Sequence, residues 1–414
     1  MTTDKQTAGD ASLSNKSLPD LSGKTILQVI PDLAAGGAER TTVEVAEAIV
    51  NAGGRALIAS AGGRLETELK AVGGELVRRE SLPSKNPIKI FQNAGWLQQI
   101  ISKENVSLIH ARSRAPAWSA YWASKATHIP FVTTYHGAYN AKSALKHWYN
   151  SVMARGNIVI ANSAFIAEHV AITYPKAANR VVTIPRGVDL KAFTKSTISQ
   201  TQRDAIIESW FSGTKPDLPI ILLPGRLTGW KGQKIAIQAM TQLAQNGNKD
   251  WILILAGDDQ GRTEYTSELR SMIDRESLSE HIKIVGHCSD IPAAMDISDI
   301  VLAPSQEAEA FGRVAAEAGA LELPTIVSDL GGQRETVIEG VTGFRVKAGD
   351  INALSRAIQK ALQMPIEQRQ IMGKKAALHI QSNFTTANLQ AMTLGVYADV
   401  LQSKTNTQRL GHSE

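Results

Sequence analysis

The stretch that decides the fold runs from Asp299-Ile-Val-Leu-Ala303 to Glu309-Ala-Phe-Gly-Arg-Val-Ala-Ala-Glu317. Its first part is a short apolar run typical of a buried strand, and the pattern after it predicts a helix over 313–321. Glu309 therefore falls in a strand-to-helix loop, and Glu317 lies about two turns further along. In an open parallel sheet such loops face the ligand crevice at the carboxyl ends of the strands.

Two carboxylates in that position can each accept hydrogen bonds from a pair of sugar hydroxyls, one pair on a hexose and one on a ribose. The structural alternative is that a glutamate near a helix start complements the helix dipole. For Glu309 or Glu317 alone this alternative is the stronger one. The functional interpretation therefore depends on the residues around them.

The composition is that of a soluble globular protein with room for two domains. The chain has 414 residues, of which 43% are hydrophobic and 20% charged, and its formal net charge is +5. Lysine and arginine do not cluster as in a nucleic-acid footprint, so that partner is disfavoured. The mild positive charge leaves contact with an anionic membrane surface open.

The targeting and cysteine patterns indicate a cytoplasmic protein. Residues 1–23 are polar and lack an apolar h-region, which predicts a disordered tail and no signal peptide. No apolar run approaches the roughly 18 residues that a membrane-spanning helix needs. Cys288 is the only cysteine, which excludes an internal disulfide and a cysteine-built zinc site.

Apolar runs alternate with amphipathic helical stretches, the pattern of parallel sheets wrapped by helices. One series of strands is predicted near 25–30, 56–60, 106–110, 130–135, 157–162 and 181–185, and a second near 219–223, 251–256, 282–286, 299–303 and 325–328. We therefore predict an α/β protein with two doubly wound domains, 24–195 and 217–385. A linker over 196–216, with a short helix over 205–211, a closing helix over 386–403 and a polar tail over 404–414 complete the prediction.

Glycines and charged residues follow the predicted strands at one end of both sheets, where ligands bind in such folds. These segments are Gly36-Gly37, His136-Gly137, Arg186-Gly187, Gly225-Arg226 to Lys231-Gly232, Gly257-Asp258, the Glu309 loop and Gly331-Gly332. If the two sheets face each other at those ends, a single cleft collects all of them.

Arg226 and Lys231 lie five residues apart around Gly229, just before Gly232 and a predicted helix start. Two cations beside exposed backbone N–H groups suit a diphosphate. The structural alternative is a solvated turn with two surface charges.

The Gly36-Gly37 turn opens the helix that carries Glu39 and Arg40. Glycines allow a backbone to approach a phosphate closely. The segment lacks the three-glycine dinucleotide fingerprint, and a Gly-Gly turn alone is weak support.

Histidines end two of the predicted strands. His136 suits a hydrogen bond to a sugar hydroxyl or to a leaving group, although a lone histidine at a strand end is more often structural. For His110, which Arg112 and Arg114 follow, we expect a structural or acceptor-side role. No Asp-x-Asp pair lies at a strand end, so a divalent metal has no evident ligands. We expect the diphosphate to be neutralised by cationic side chains and helix dipoles.

Together these motifs resemble the retaining, nucleotide-sugar-dependent glycosyltransferases of family 4, which have the GT-B fold. The resemblance runs from about Lys24 to about Gln402, and its strongest element is Glu309 and Glu317 with Phe311-Gly312 between them. Further matches are Gly225-Arg226-Leu227 with Lys231-Gly232, Ile184-Pro185 with Gly187-Val188-Asp189 and Phe193, Gly36-Gly37-Ala38-Glu39, and Gly331-Gly332 with Glu335, Gly340 and Gly343.

The resemblance implies two facing Rossmann-like domains with an interdomain cleft, and a C-terminal helix that crosses back to the first domain. It also implies a role for each site residue. Glu309 would contact the hydroxyls of the donor sugar, Glu317 the ribose, Arg226 and Lys231 the diphosphate, and His136 the sugar near its anomeric carbon. Gly36, Gly37, Phe311 and Gly312 would complete the donor site.

The reaction that the resemblance implies is transfer of a hexose-type sugar from a UDP- or GDP-sugar to a hydroxyl of a glycan or lipid-linked acceptor. Family members keep the anomeric configuration and commonly work without a metal, so no cofactor is expected beyond the donor. The segments Thr228–Gln233 and His110–Trp118 look most like bacterial enzymes of lipopolysaccharide or cell-surface glycan synthesis. Such an enzyme would be cytoplasmic, with a peripheral position on the inner membrane.

Arg186 departs from the family pattern, because the family usually has asparagine before Gly-Val-Asp. The added cation is able to meet an anionic acceptor or the donor phosphates. It is equally able to form a structural salt bridge, and the sequence favours neither.

The segment 142–155 mixes cations, aromatic and aliphatic residues at roughly helical spacing. Such a helix could lie on an anionic bilayer and bring the enzyme to a lipid-linked acceptor. The alternative is a domain helix that packs Leu145, Trp148 and Val152 inward.

Two other functions share the architecture. A nucleotide-sugar epimerase matches the two domains but not the combination of Glu309, Glu317, Arg226 and Lys231. A non-catalytic nucleotide- or glycan-binding paralogue is disfavoured because both glutamates, both cations and His136 are present.

Overall fold

The computed structural model describes residues 18–34, 36–139 and 141–410. These residues contain thirteen strands in two parallel sheets, of seven and six strands. Contacts divide the chain into two compact units. One unit comprises the described parts of 1–110, 118–131 and 390–414, and the other comprises 111–117 and the described parts of 132–389. The predicted domain boundaries are not tested by this division and stay predictions.

The first sheet has the strand order β3-β2-β1-β4-β5-β6-β7. Its strands are β1 (Thr25–Val29), β2 (Arg55–Ser60), β3 (Glu75–Arg78), β4 (Val106–Ala111), β5 (Phe131–Tyr135), β6 (Ile158–Ala161) and β7 (Val181–Thr183). The second sheet has the order β10-β9-β8-β11-β12-β13. Its strands are β8 (Ile220–Pro224), β9 (Ile252–Ala256), β10 (Ile282–Gly286), β11 (Ile300–Ala303), β12 (Thr325–Ser328) and β13 (Gly343–Val346).

In each sheet, the chain first adds strands on one side of the first strand and then continues on its other side. This is the doubly wound topology that the sequence predicts. The central strands β8, β9, β11 and β12 are buried along their whole length. Helices cover both faces of such sheets, so their strands are continuous apolar runs. The predicted α/β fold class is confirmed.

Helices connect the strands and supply the outer layers. They are α1 (Gly37–Asn51), α2 (Glu66–Ala71), α3 (Pro87–Lys103), α4 (Arg114–Thr127), α5 (Ala144–Asn150), α6 (Ala164–Thr173), α7 (Gln200–Phe211), α8 (Gln233–Gln245), α9 (Thr263–Arg275), α10 (Ile291–Asp296), α11 (Arg313–Ala320), α12 (Gln333–Thr336), α13 (Ile351–Gln363), α14 (Ile366–Asn383) and α15 (Thr386–Leu410). Short 3-10 helices lie at Ser151–Ala154, Pro175–Arg180, Lys195–Thr197 and Gly229–Lys231.

Two strands were not predicted from the sequence, and both lie at the edge of a sheet. β3 has exposed residues at both ends, and β13 has Arg345 within its four residues. Short edge strands with charged residues give a weak periodic signal, because only one side pairs with a neighbour.

The predicted linker contains an ordered helix that is longer than expected. Ser199 and Gln202 form a capping box at the start of α7. Ile206 and Trp210 then pack into the core of the second sheet beside Leu222. The residues before Ala205 are polar because the capping box places Ser199 and Gln202 at the helix start. They give no apolar periodicity, so the sequence did not predict this part of the helix.

Both predicted tails are shorter than expected where the structure describes them. Leu21 is 1% exposed and its N–H donates to the carbonyl of Ala52, so order begins before residue 24. Helix α15 continues to Leu410, past its predicted end at 403, because no Gly or Pro lies between residue 403 and Gly411. Residues 1–17 and 411–414 of the two tails lie outside the described residues.

Helix α15 begins in the second compact unit and from Gln390 belongs to the first, as the resemblance implies for a helix that crosses back. Within the second unit, the N–H of Thr386 donates to the carbonyl of Val188. Gly187 lies against the backbone of Thr386, where a Cβ would overlap it. The Gly-Val-Asp segment thus joins the start of this helix.

Within the first unit, the same helix is joined to α1 and to β4. Gln390 donates to the carbonyl of Glu44, and Nδ1 of His110 lies 2.6 Å from the hydroxyl of Tyr397. Both His110 and Tyr397 are fully buried. His110 therefore has a structural contact, one of the two roles expected for it.

Tyr397→Phe should lower the free energy of unfolding by about 1–3 kcal/mol, because the buried His110 loses this hydrogen bond. Urea unfolding measures the change. Tyr174→Phe is the control, since its hydroxyl bonds the carbonyl of His147 at the surface and should cost less than about 0.5 kcal/mol. Equal losses in the two variants would contradict the assigned role of the His110–Tyr397 pair.

Candidate active site

The candidate site lies at the switch point of the second sheet, between the adjacent strands β8 and β11. The chain continues from β8 to β9 on one side of this pair and from β11 to β12 on the other. The two connections diverge and leave a crevice at the carboxyl ends of β8 and β11. The loop after β8 carries Arg226 and Lys231, and the loop after β11 carries Glu309. The topology therefore brings together residues that lie almost eighty positions apart.

These two loops touch through their backbones. Gly232 has a φ of +81°, and a Cβ there would overlap the carbonyl oxygen of Pro304. Beside this contact, the N–H of Gln306 donates to the carbonyl of Trp230 at 2.7 Å. A side chain at position 232 would force the loops apart, so glycine is required for the close approach.

A third loop, after β12, supports the Glu309 loop. The N–H of Gly332 donates to the carbonyl of Glu309 at 2.8 Å. Gly331 has a φ of +58° and lies against the backbone of Glu309, while Gly332 lies against the backbone of Ala310 and Phe311. The loop that carries the first glutamate is thus held between two glycine loops.

The central interaction of the site is the salt bridge between Lys231 and Glu309. Nζ of Lys231 lies 2.7 Å from Oε1 of Glu309, and the two side chains are 14% and 11% exposed. The hydroxyl of Ser305 donates to the same oxygen. A carboxylate held by two donors has a defined position at the end of β11.

Arg226 and Lys231 both lie near the ring of Trp230. The Arg226 guanidinium carbon is 5.9 Å and the Lys231 ammonium 4.5 Å from the centre of the indole ring. Gln233 donates to the carbonyl of Arg226 at 2.9 Å. The two predicted phosphate ligands therefore lie near the same aromatic ring at the start of α8.

Glu317 lies on α11 and is 8% exposed. Its Oε1 accepts hydrogen bonds from Arg313, at 2.6 Å from Nη2 and 3.0 Å from Nε. Gly312 precedes this helix with a φ of +90°. The side chain of Phe311 is 2% exposed and packs against Phe384, so it belongs to the core.

His136 follows β5, in the same compact unit as these residues. Its Nδ1 lies 3.2 Å from Nη2 of Arg186. A guanidinium only donates hydrogen bonds, so Nδ1 is the acceptor and the proton of the neutral ring lies on Nε2. Nε2 is buried and has no hydrogen-bond partner among the described residues.

The surroundings of His136 favour its neutral form. Burial holds the pKa of His136 well below its usual range, and the charges of Arg186 and Arg112 lower it further. The imidazole is therefore an uncharged hydrogen-bond donor through Nε2.

Gly36 and Gly37 lie in the other compact unit, at the start of α1 after β1. Strands β1 and β4 are adjacent and form the switch point of the first sheet. Gly36 is the N-cap of α1 with a φ of −89°, an extended conformation that requires no glycine. Its closest neighbour is the carboxylate of Glu39.

Glu335, which belongs to the resemblance, has a structural partner. Its two carboxylate oxygens accept hydrogen bonds from the N–H groups of Ala164 and Phe165, at 2.9 and 3.0 Å. It therefore caps the first turn of α6, which its charge also stabilises.

Two residues of the site were not predicted from the sequence. Ser305 precedes Glu309 by four positions, and Arg313 precedes Glu317 by four. The second spacing is a recognisable helical ion pair. The first lies in a loop, where a spacing of four carries no structural signal.

Two further observations concern metals and membranes. No group of three or more His, Cys, Asp or Glu side chains in the described ranges is placed to hold a metal ion. Among the helices of the described residues, none combines the length and the apolar character needed to cross a bilayer.

Two family models match the chain. The model for glycosyl transferases group 1 matches residues 204–379, and that for glycosyltransferase family 4 matches residues 35–192. A crystal structure of a glycosyltransferase from Rickettsia africae is 34% identical, covers 91% of this chain and 98% of its own, and superposes with a TM-score of 0.84.

Two more distant matches are a sequence relative and a solved structure. Spore coat protein SA of Bacillus subtilis is 25% identical over 313 residues, which span 72% of this chain and 79% of that protein. The crystal structure of Anabaena HepE in complex with UDP and glucose is 23% identical, with a TM-score of 0.76 over 91% of this chain and all of its own.

The two doubly wound parallel sheets define the class of doubly wound α/β proteins, in which ligands bind at the switch points. Within that class, the chain belongs to the glycosyltransferase family with group 1 and family 4 domains and the GT-B architecture. The predicted family is confirmed. The roles of the individual site residues stay predictions.

Gly232→Ala should destabilise the protein by about 1–3 kcal/mol more than Gly247→Ala. Both glycines flank α8 with nearly equal φ values, +81° and +84°, but Gly247 has no atom within 4 Å of a built Cβ. The cost of placing alanine at a positive φ is common to both variants and cancels in the comparison. The remaining difference in the free energy of unfolding measures the overlap with Pro304. Urea unfolding of both variants is the measurement, and indistinguishable losses would show that the loop contact is not tight.

Proposed function

We propose that the protein transfers a hexose-type sugar from a UDP- or GDP-sugar to a hydroxyl of a glycan or lipid-linked acceptor, with retention of the anomeric configuration. The observation that carries the proposal is the Lys231–Glu309 salt bridge at the switch point between β8 and β11. It places a cation suited to phosphate beside a carboxylate suited to sugar hydroxyls.

Donor binding would redistribute the contacts of this pair. The diphosphate would take up the charges of Lys231 and Arg226 and the free N–H groups at the start of α8. Glu309, still held by Ser305, would then accept hydrogen bonds from the donor sugar. The complex of HepE with UDP and glucose supports a UDP-sugar as the donor.

Glu317 would accept hydrogen bonds from the ribose. Only one of its oxygens is used by Arg313, so Oε2 retains its acceptor capacity for a pair of hydroxyls. Because Arg313 fixes the side chain on α11, the ribose would meet a preorganised acceptor.

In the proposed reaction the acceptor oxygen forms a bond to the anomeric carbon, and the bond from that carbon to the phosphate oxygen breaks. Both events take place on the same face of the sugar, and the departing phosphate takes the proton of the acceptor hydroxyl. His136 would donate from Nε2 to a hydroxyl of the donor sugar, which its neutral state and its tautomer permit.

We infer that no metal is required, because the charge of the diphosphate can be met by Arg226, Lys231 and the N-terminal dipole of α8. The donor sugar is the only further compound that the reaction needs. Retention, the hexose and metal independence all belong to this proposal.

The biological role that we propose is lipopolysaccharide or cell-surface polysaccharide synthesis. It is supported by the resemblance of Thr228–Gln233 and His110–Trp118 to bacterial enzymes of that kind. The protein would then be cytoplasmic and meet a lipid-linked acceptor at the inner membrane.

Helix α5 supports such a membrane contact. Leu145 is 75% and Trp148 49% exposed, and Lys142 and Lys146 lie beside them in the chain. The alternative interpretation, a helix packed into the core, requires Leu145, Trp148 and Val152 to be buried. Of these three residues only Val152 is buried. An exposed apolar face with neighbouring lysines is typical of helices that rest on anionic bilayers.

Glu317→Ala should weaken binding of UDP on the order of tenfold, because two charge-assisted hydrogen bonds to the ribose are lost. Isothermal titration calorimetry measures the affinity for UDP and, in parallel, for GDP. Glu280→Ala, which removes an exposed carboxylate of the same unit, should bind as the parent does.

Equal affinity of Glu317→Ala and the parent for the preferred nucleotide would contradict the ribose assignment. If neither UDP nor GDP binds the parent, the proposed donor class is wrong. The same titration with EDTA tests metal independence, and binding that only manganese restores would overturn that part of the proposal.

Trp148→Glu should reduce binding to vesicles of anionic phospholipid, because an exposed aromatic residue is replaced by a charge that the surface repels. Co-sedimentation with vesicles containing phosphatidylglycerol is the measurement. Ile371→Glu, at another exposed apolar residue, is the control. Equal sedimentation of Trp148→Glu and the parent would remove helix α5 from the membrane contact.

A further inference from the structure

The start of helix α3 carries an exposed apolar surface. Ile88 is 69% and Phe91 74% exposed, and their spacing of three places them on the same side of the helix. The core side of α3 is formed by other residues, among them Ile90 and Leu97. A surface helix usually has polar residues on the side that faces water. Helix α3 instead has large apolar side chains on both sides of its first turns.

Helix α4 extends this surface. The hydroxyl of Ser119 donates to the carbonyl of Ile90 at 2.8 Å, so α4 packs against the first turns of α3. Trp122 follows Ser119 by three positions, which makes the two residues neighbours on α4, and it is 37% exposed. We call Ile88, Phe91 and Trp122 the apolar patch. All three residues belong to the first compact unit.

Lysines lie beside the apolar patch. Lys85 and Lys89 are exposed at the start of α3, and Lys125 is exposed three positions after Trp122. The dipole of a helix favours acidic residues in the first turn, but α3 has none there and has Lys89 instead. The lysines and the positive end of the helix therefore act in the same direction, and both would attract an anionic partner.

Acidic residues are almost missing from this part of the sequence. Of the 44 Lys and Arg residues of the chain, nine lie within 81–167, whereas of the 39 Asp and Glu residues only Glu104 does. Glu104 is itself paired with Arg55, which lies outside that stretch, at 2.9 Å. The rest of the chain has slightly more acidic than basic residues. Such a charge asymmetry along a chain indicates an anionic partner.

The combination of exposed apolar side chains and lysines fits the surface of an anionic bilayer. Apolar and aromatic side chains enter the boundary between headgroups and acyl chains, while lysines meet the headgroups. A nucleic acid would attract the lysines but would leave Ile88 and Phe91 in water. A second copy of the chain would cover the apolar patch, but a two-fold contact would bring the lysines of both copies together.

We propose that the apolar patch, with Lys85, Lys89 and Lys125, is a docking surface for a membrane of anionic phospholipid. It is separate from the membrane contact proposed for helix α5, because α5 belongs to the other compact unit. It also does not depend on the proposed transfer reaction. Since only three side chains enter the boundary, the contact is reversible.

Co-sedimentation of the full chain with lipid vesicles tests the docking surface. One series contains phosphatidylglycerol and phosphatidylcholine, and a second contains phosphatidylcholine alone. We expect the parent to bind the anionic vesicles and to bind the neutral ones much more weakly. Binding to the anionic vesicles should fall as sodium chloride is raised, because salt screens the attraction between lysines and headgroups.

Phe91→Glu should lower the partition coefficient on anionic vesicles on the order of tenfold, because an aromatic residue is replaced by a charge that the surface repels. Ile172→Glu is the matched control. Ile172 lies on α6 and is 72% exposed, so the same charge enters at an equally exposed apolar position, and this variant should bind as the parent does.

The double substitution Lys85→Gln and Lys89→Gln should weaken binding to the same vesicles on the order of tenfold, because two charges near the surface are lost. Its control is Lys374→Gln with Lys375→Gln, which removes the same charge from exposed positions of α14 and should leave binding unchanged. Thermal unfolding of each variant shows that it is folded, which is expected because all of these side chains are exposed.

Three results would overturn the proposal. One is equal sedimentation of Phe91→Glu and the parent, even if Trp148→Glu on α5 sediments less. Another is that the folded parent fails to bind anionic vesicles or binds neutral ones equally well. The third is a dimer of the parent, seen by sedimentation velocity, that Phe91→Glu converts to a monomer, since a second copy would then cover the patch. Failure of UDP to bind would contradict the proposed donor and would leave this comparison unaffected.

Discussion

The close packing of three strand-to-helix loops is the constraint on which the site depends. The loops after β8, β11 and β12 approach one another so tightly that Gly232, Gly331 and Gly332 have no room for a side chain. Backbone hydrogen bonds from Gln306 to Trp230 and from Gly332 to Glu309 join them. The salt bridge between Lys231 and Glu309 is a consequence, because it forms only if these backbones are in contact.

The same packing explains how mobile side chains become a defined site. A lysine and a glutamate at the surface form ion pairs worth little, because their side-chain entropy offsets the attraction. Here Ser305 holds the carboxylate, Trp230 lies under the ammonium, and both side chains are largely buried. A ligand that replaces the partner of Lys231 therefore meets groups that are already in place.

The two histidines at strand ends show how one motif serves two purposes. His110 and His136 both lie at the ends of strands of the first sheet. His110 bonds Tyr397 in the core, while His136 contacts Arg186 and has a buried Nε2 with no hydrogen-bond partner among the described residues. The difference arises from their neighbours in space. Tyr397 is 287 positions from His110, and Arg186 is 50 positions from His136. No local pattern distinguishes the two residues.

By itself the sequence determined the fold class, the central strands, the family and the segments at which the site residues lie. These features depend on local periodicity and on the order of glycines and charges along the chain. The tertiary structure decided which residues meet: Ser305 and Lys231 at Glu309, Arg313 at Glu317, Arg186 at His136, and the cap that Glu335 makes on α6. It also decided the edge strands β3 and β13 and the helix α7, because their stability comes from packing against neighbours that a single stretch of sequence does not contain.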